Sequence, residues 1–173
     1  MGTLSSAKFR FILLSLLLTG CGSSLPGKIG ENADAKASSV SGKVSLVGST
    51  QELDLGSTNR AMVLIFASDS CVVCAREADH FVAEFAKRGG YPSNITFLTI
   101  MVGAFLEDAI AWRDFHRITW PLAIDNGDTL FRTACTGTTP CVLTVAPNRQ
   151  IIRVRTGEVN LSNLEEETGP WLY

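Results

Sequence analysis

The spacing of apolar residues changes several times along the chain, and each change marks an element. Residues 11–18 (FILLSLLL) form the first apolar run. A bilayer span takes about 20 such residues, so this one is too short to cross. Residues 22–42 (GSSLPGKIGENADAKASSVSG) are small and polar with no period. Such a stretch buries too little to offset its ordering entropy and is expected to be a flexible linker. Residues 44–47 and 51–55 alternate weakly around Gly48-Ser49-Thr50, which predicts a hairpin. Residues 61–67 (AMVLIFA) and 95–102 (ITFLTIMV) are continuous apolar runs, the pattern of strands buried on both faces. Between them Val73, Ala78, Phe81, Val82 and Phe85 recur at helical spacing, and Gly89, Gly90 and Pro92 stop that helix.

Beyond the second run, residues 107–116 are expected to be helical, anchored by Trp112, and residues 122–124 extended. Residues 128–134 predict a short helix, and 142–145 with 151–154 a hairpin around Ala146-Pro147-Asn148-Arg149. A last short helix spans 160–167, with Ser162 and Glu165 at capping-box spacing. The order β-β-β-α-β-α-β-α-β-β-α combines strand–helix alternation with a terminal hairpin. The fold class is therefore α/β, a mixed sheet covered by helices on both faces, with an N-terminal β-hairpin. The organisation expected is a leader over 1–20, a linker over 21–42 and one domain over 43–173.

Composition narrows the function. Fifteen Lys and Arg against seventeen Asp and Glu give a net charge of −2, which excludes a basic nucleic-acid footprint. An apolar content of 46 % excludes disorder across the chain. Lys8 and Arg10 ahead of the first apolar run, with no acid before residue 21, make a secretory signal. Its end, Leu18-Thr19-Gly20-Cys21, resembles the bacterial lipobox, which implies cleavage before Cys21 and a lipid on its sulfur. Gly22, rather than Asp, resembles an outer-membrane address under the Gram-negative sorting rule. Removal of Cys21 from the count leaves Cys71, Cys74, Cys135 and Cys141 in a compartment that permits disulfides.

Cys71-Val72-Val73-Cys74 follows a buried strand and opens a helix. Unpaired N–H groups and the macrodipole at a helix N-terminus favour an anion, so the thiolate of a cysteine there is favoured. The two-residue spacing places both sulfurs on one turn, with Cys71 exposed to attack or be attacked and Cys74 inward to resolve. Zinc would want a second ligand pair, and Cys135-x5-Cys141 lacks that spacing. A purely structural disulfide over so small a loop constrains little entropy. No metal and no cofactor are expected.

In this setting the domain resembles the thioredoxin superfamily, in its TlpA/ResA-like membrane-anchored branch, over residues 43–168. The resemblance rests on the strand ending Phe66-Ala67 before the two cysteines, on Glu77 three residues beyond Cys74, and on Trp120-Pro121 leading into Leu122-Ala123-Ile124-Asp125. It continues with Thr138-Thr139-Pro140, the Pro147-Asn148 turn and Gly157. It implies a cis Thr139–Pro140 bond beside the cysteine pair and a substrate groove lined by Thr139 and Pro140. It also implies a lipid-anchored, envelope-facing thiol–disulfide oxidoreductase that reduces protein disulfides, including those of apocytochrome c. Electrons would come from a membrane thiol carrier. An oxidase with the same residues run in reverse, and a non-catalytic binding lipoprotein docking through the Pro140 loop, are the rival readings.

The chain departs from that family at several points. Ser70 stands in place of an aromatic, Val73 in place of a proline, Ile65 in place of a buried acid, Ala104 in place of a glutamate and Asp79 in place of a helix-kinking proline. These positions bear on potential and substrate rather than fold. Cys135 and Cys141 carry three open readings: a structural disulfide, two buried thiols, or a second redox pair that relays electrons. His80 reads as a solvated helix residue, His116 with Arg113 and Arg117 as a cationic helix end, Asp69 as a turn residue, and Trp112 and Trp120 as core.

Overall fold

The structure is a computed structural model and describes residues 37–172. The leader, Cys21 and most of the expected linker lie outside the described residues. Seven strands form one sheet: β1 (Lys43–Leu46), β2 (Glu52–Asp54), β3 (Met62–Ala67), β4 (Thr96–Met101), β5 (Leu122–Ile124), β6 (Cys141–Val145) and β7 (Ile151–Thr156). Among the described residues four α-helices accompany them: α1 (Val72–Lys87), α2 (Leu106–Phe115), α3 (Thr129–Ala134) and α4 (Leu161–Leu172). The spatial order is β2-β1-β5-β4-β3-β6-β7. β3, β4 and β5 run parallel, whereas β6 pairs antiparallel with β3 and with β7, and the β1–β2 hairpin adds antiparallel at the β5 edge. The mixed sheet and the N-terminal hairpin read from the sequence are therefore present.

All six residues of β3 are buried, because both of its flanks are paired and both of its faces are covered. Val63, Ile65 and Ala67 face one core with α1, α2 and α4, while Met62, Leu64 and Phe66 face the other with α3. On the first face Phe85, Phe97 and Trp120 meet edge to face, with ring centroids 5.1, 5.4 and 5.6 Å apart. Such pairs add about 0.5–1.5 kcal/mol each beyond the area they bury. The Trp120 indole N–H donates to Thr99 Oγ1 at 2.9 Å, which satisfies a polar group in that core. On the second face buried Asp125 accepts the N–H of Phe131 at 2.8 Å and so ties the start of α3 to the end of β5. Burial raises the Asp125 carboxyl above the usual carboxylate range.

Three details differ from the sequence expectation. Contacts with the sheet reach back past residue 43: Ser39 bridges Gln150, the Val40 N–H donates to Arg149 O at 3.0 Å, and the Val40 side chain is fully buried. One apolar residue among polar neighbours gives no period, yet it packs in the second core. The capping box of Ser162 and Glu165 does not form. Asn160 Oδ1 accepts from the Asn163 N–H at 2.9 Å instead, and Glu165 reaches across to Arg88. The last helix also continues past residue 167 to Leu172, through Gly169-Pro170, a pair that reads as a stop.

The aromatic cluster gives a direct test. Phe97→Ala is expected to cost about 3–5 kcal/mol. The cost is read as a lower urea midpoint at unchanged m-value.

Candidate active site

β3 ends at Ala67, and the four-residue turn Ser68–Cys71 delivers the chain to α1. The Cys71 N–H closes the turn on Ser68 O at 3.2 Å, and Asp69 Oδ1 accepts from the Ser70 N–H at 2.7 Å, a local turn contact. Cys71 is the N-cap of α1, with extended backbone (φ −85°, ψ 102°), and its Sγ accepts the N–H of Cys74 at 3.1 Å. No acid occupies the first turn of the helix, so nothing there opposes the N-terminal dipole. Cys71 is half-buried, and Cys74, one turn inward, is 2 % exposed. The two are joined as a disulfide, with Cα atoms 5.2 Å apart.

Behind Cys74 lies a cavity of about 10 Å³, bounded by Ile65, Ala67, Glu77, Thr99, Trp112 and Trp120 among others. That is roughly the room one water needs. Glu77 is 1 % exposed and accepts the N–H of Val159 at 2.8 Å through Oε1. Burial pushes its carboxyl up to about 8, against the downward pull of the Val159 hydrogen bond, and the charge of Glu158 adds to the rise. At neutral pH Glu77 is therefore largely a neutral acid beside the inner sulfur. The Trp112 indole N–H in the same cavity is buried without a partner among the described residues. Ile65 on β3 is apolar at this cavity, and the acid that lines it, Glu77, comes from α1.

The sequence places Glu77 three residues after Cys74, where a charged residue type reads as exposed. The helical period alone could have found it, since Cys74, Glu77, Ala78 and Phe81 share one face. His116 is also corrected. It is buried rather than part of a cationic surface, its ring lies tilted against that of Trp112 with centroids 4.9 Å apart, and its Nδ1 donates to Asp79 Oδ1 at 2.7 Å, linking α2 to α1. His80 is exposed, and both Trp112 and Trp120 are core residues.

The loop before β6 lies against the cysteine turn. The hydroxyls of Thr139 and Ser68 are 3.4 Å apart, and Cys141 stands opposite Phe66 in register, one residue before the end of β3. The Thr139–Pro140 peptide is cis, and Pro140 O accepts the N–H of Gly157 at 3.0 Å. Thr139 is half-buried and Pro140 buried. Cys135 and Cys141 form a second disulfide, with Cα atoms 6.3 Å apart and both residues fully buried. Closing a ring of this size contributes about 2 kcal/mol in the chain-entropy account. Cys21 lies outside the described residues.

The fold is thioredoxin-like. The chain is similar to the solution structure of a candidate protein disulfide isomerase from Bacteroides thetaiotaomicron, with a TM-score of 0.68 and 16 % identity over 84 % of this chain and 94 % of that one. It is similar to the thioredoxin domain of a thiol-disulfide oxidoreductase from Bacteroides vulgatus, with a TM-score of 0.62 and 13 % identity over 82 % and 100 % of the two chains. A secreted Mycobacterium tuberculosis disulfide oxidoreductase homologous to E. coli DsbE matches with a TM-score of 0.60 and 14 % identity, over 75 % and 96 %. No protein-family model and no curated protein matches the chain.

Glu77 sets a pH dependence. A carboxyl whose pKa rises on folding binds more protons folded than unfolded, so its contribution is full below about 4.5 and is lost as pH rises to about 8. The oxidised protein is expected to lose on the order of a few kcal/mol over that window. Glu77→Gln should flatten the slope in urea titrations run at each pH.

Proposed function

We propose that the chain is an extracytoplasmic thiol–disulfide oxidoreductase that reduces protein disulfides through Cys71 and Cys74. The observation that carries this reading is the pairing of a half-buried N-cap sulfur with an inner sulfur one turn along the same helix, beside an irregular loop edge. In the reduced enzyme the Cys71 thiolate attacks one sulfur of a substrate disulfide. A mixed disulfide forms and the other substrate sulfur leaves as a thiolate. Cys74 then gives up its proton and attacks Cys71 Sγ, which releases the second substrate thiol and leaves the Cys71–Cys74 disulfide. Two electrons pass to the substrate, and a thiol carrier must return them.

Glu77 is the group placed to handle the Cys74 proton: it shares the cavity behind that sulfur, its ionised carboxylate takes the proton as Cys74 attacks, and the resulting acid returns it to Cys74 when the thiol carrier re-reduces the pair. Thr139 and Pro140 line the edge on which an extended substrate segment would lie. The envelope location rests on residues 1–21, with Cys21 as the lipid anchor. Within that setting a membrane thiol carrier is the electron source, and cysteine pairs of envelope proteins, apocytochrome c among them, are the substrates. Among the described residues no helix is long and apolar enough to cross a membrane.

Insulin reduction tests the reading. Wild-type protein is expected to turn over with a thiol donor, and Cys71→Ser should lower the rate by about a hundredfold or more. Cys74→Ser should instead accumulate a mixed disulfide seen as a mass adduct. A potential for the pair near about −270 mV fits a reductant, whereas one near about −120 mV reverses the direction of flow.

A further inference from the structure

The second disulfide sits at the feet of the loop that carries Thr139 and Pro140. Cys135 ends α3 and Cys141 begins β6, so the bond closes a ring over Thr136, Gly137, Thr138, Thr139 and Pro140. The feet are fully buried, while Thr136, Gly137 and Thr138 are exposed. Among the described residues no backbone–backbone hydrogen bond involves Thr136 through Thr139. Their N–H and C=O groups are therefore open to another chain, the condition for strand-like docking of an extended segment. Gly137, at φ +93°, adds the freedom of a residue without a side chain. A loop with so few internal bonds and a glycine at its apex would sample many shapes, and the covalent ring removes most of them.

The pair is also separated from the redox centre. Cys74 packs in the core beneath α1 and α2, with Cys71 against it, whereas Cys135 and Cys141 pack in the core beneath α3. The sheet lies between the two. Exchange between disulfides requires direct attack of a thiolate on a sulfur, which this placement blocks.

We propose that the Cys135–Cys141 disulfide is a docking clamp: it positions the Thr136–Pro140 loop for an extended protein substrate and carries no electrons during turnover. The proposal rests on the oxidoreductase reading above. Cys135 and Cys141 are positioning residues, and their effect belongs to binding rather than to sulfur chemistry.

The test compares full-length wild type with the Cys135→Ala/Cys141→Ala double variant on two substrates, insulin and a small aromatic disulfide that makes no use of the loop. The clamp predicts a KM for insulin raised about tenfold at unchanged kcat, the mark of lost uniform binding. The small disulfide should react at the wild-type rate, and the potential of Cys71/Cys74 should not move. Equal losses on both substrates, or no loss on either, overturn the clamp. So does a shifted potential. Wild type inert toward both substrates overturns the oxidoreductase reading and the clamp with it. Should the variant not fold, wild type equilibrated across a series of glutathione buffers decides, each pair followed by alkylation and mass mapping. Cys135–Cys141 must stay oxidised throughout the range in which Cys71–Cys74 switches. Reduction of both pairs together would make the second pair a relay and end the clamp.

Discussion

Met62–Ala67 has no solvent-facing side chain and no free ladder edge. Its backbone bonds are taken up by β4 on one flank and β6 on the other. Its side chains divide between two cores in strict alternation. A one-residue slip would exchange those faces, so the burial of both fixes the register firmly. Everything at the candidate site inherits its position from this strand. The turn to Cys71 starts where the strand stops, and Cys141 is held opposite Phe66 by the ladder itself. The sulfur chemistry and the loop beside it are thus placed by the most constrained part of the molecule, although both sit on irregular backbone.

On that frame the electrostatics are local. A helix N-terminus with no acid in its first turn favours negative charge on Cys71, and the desolvated Glu77 keeps a neutral acid next to Cys74. The two effects act on different sulfurs and come from different causes, one from the dipole of α1 and the other from burial. The cross-link from His116 to Asp79 fastens α2 against α1 and helps keep Trp112 over the same cavity.

Much of this was legible in the sequence. The unbroken apolar runs fixed β3 and β4, and the two-residue spacing after the first run located the cysteine turn. What escaped reading was set by tertiary contacts. Glu77 and His116 carry polar side chains on inward faces: Glu77 shares the helical face of Cys74, Ala78 and Phe81 against its residue type, and only the packed neighbours reveal the burial of His116. Val40 is a single apolar residue with no period around it. Asn160 and Ser162 are both good caps, and the helix starts at Leu161, which leaves Asn160 as the residue that accepts from Asn163 N–H. The state of Cys135 and Cys141 depended on a loop path that spacing alone does not dictate, since sulfurs can be bridged only when the Cα atoms come within about 7 Å.

The two faces of the sheet have a consequence for how such a chain can vary. Residues under α1 and α2 meet the inner redox sulfur, and residues under α3 meet the feet of the loop; few side chains belong to both groups. Substitutions that retune proton handling can therefore accumulate on one side while those that alter what the loop grips accumulate on the other, with the shared strand held constant. Effects of sites more than about 7–10 Å apart, with no common partner, generally add. Under the proposed function, a chain built this way can change its clientele without disturbing its chemistry, and its chemistry without losing its clientele.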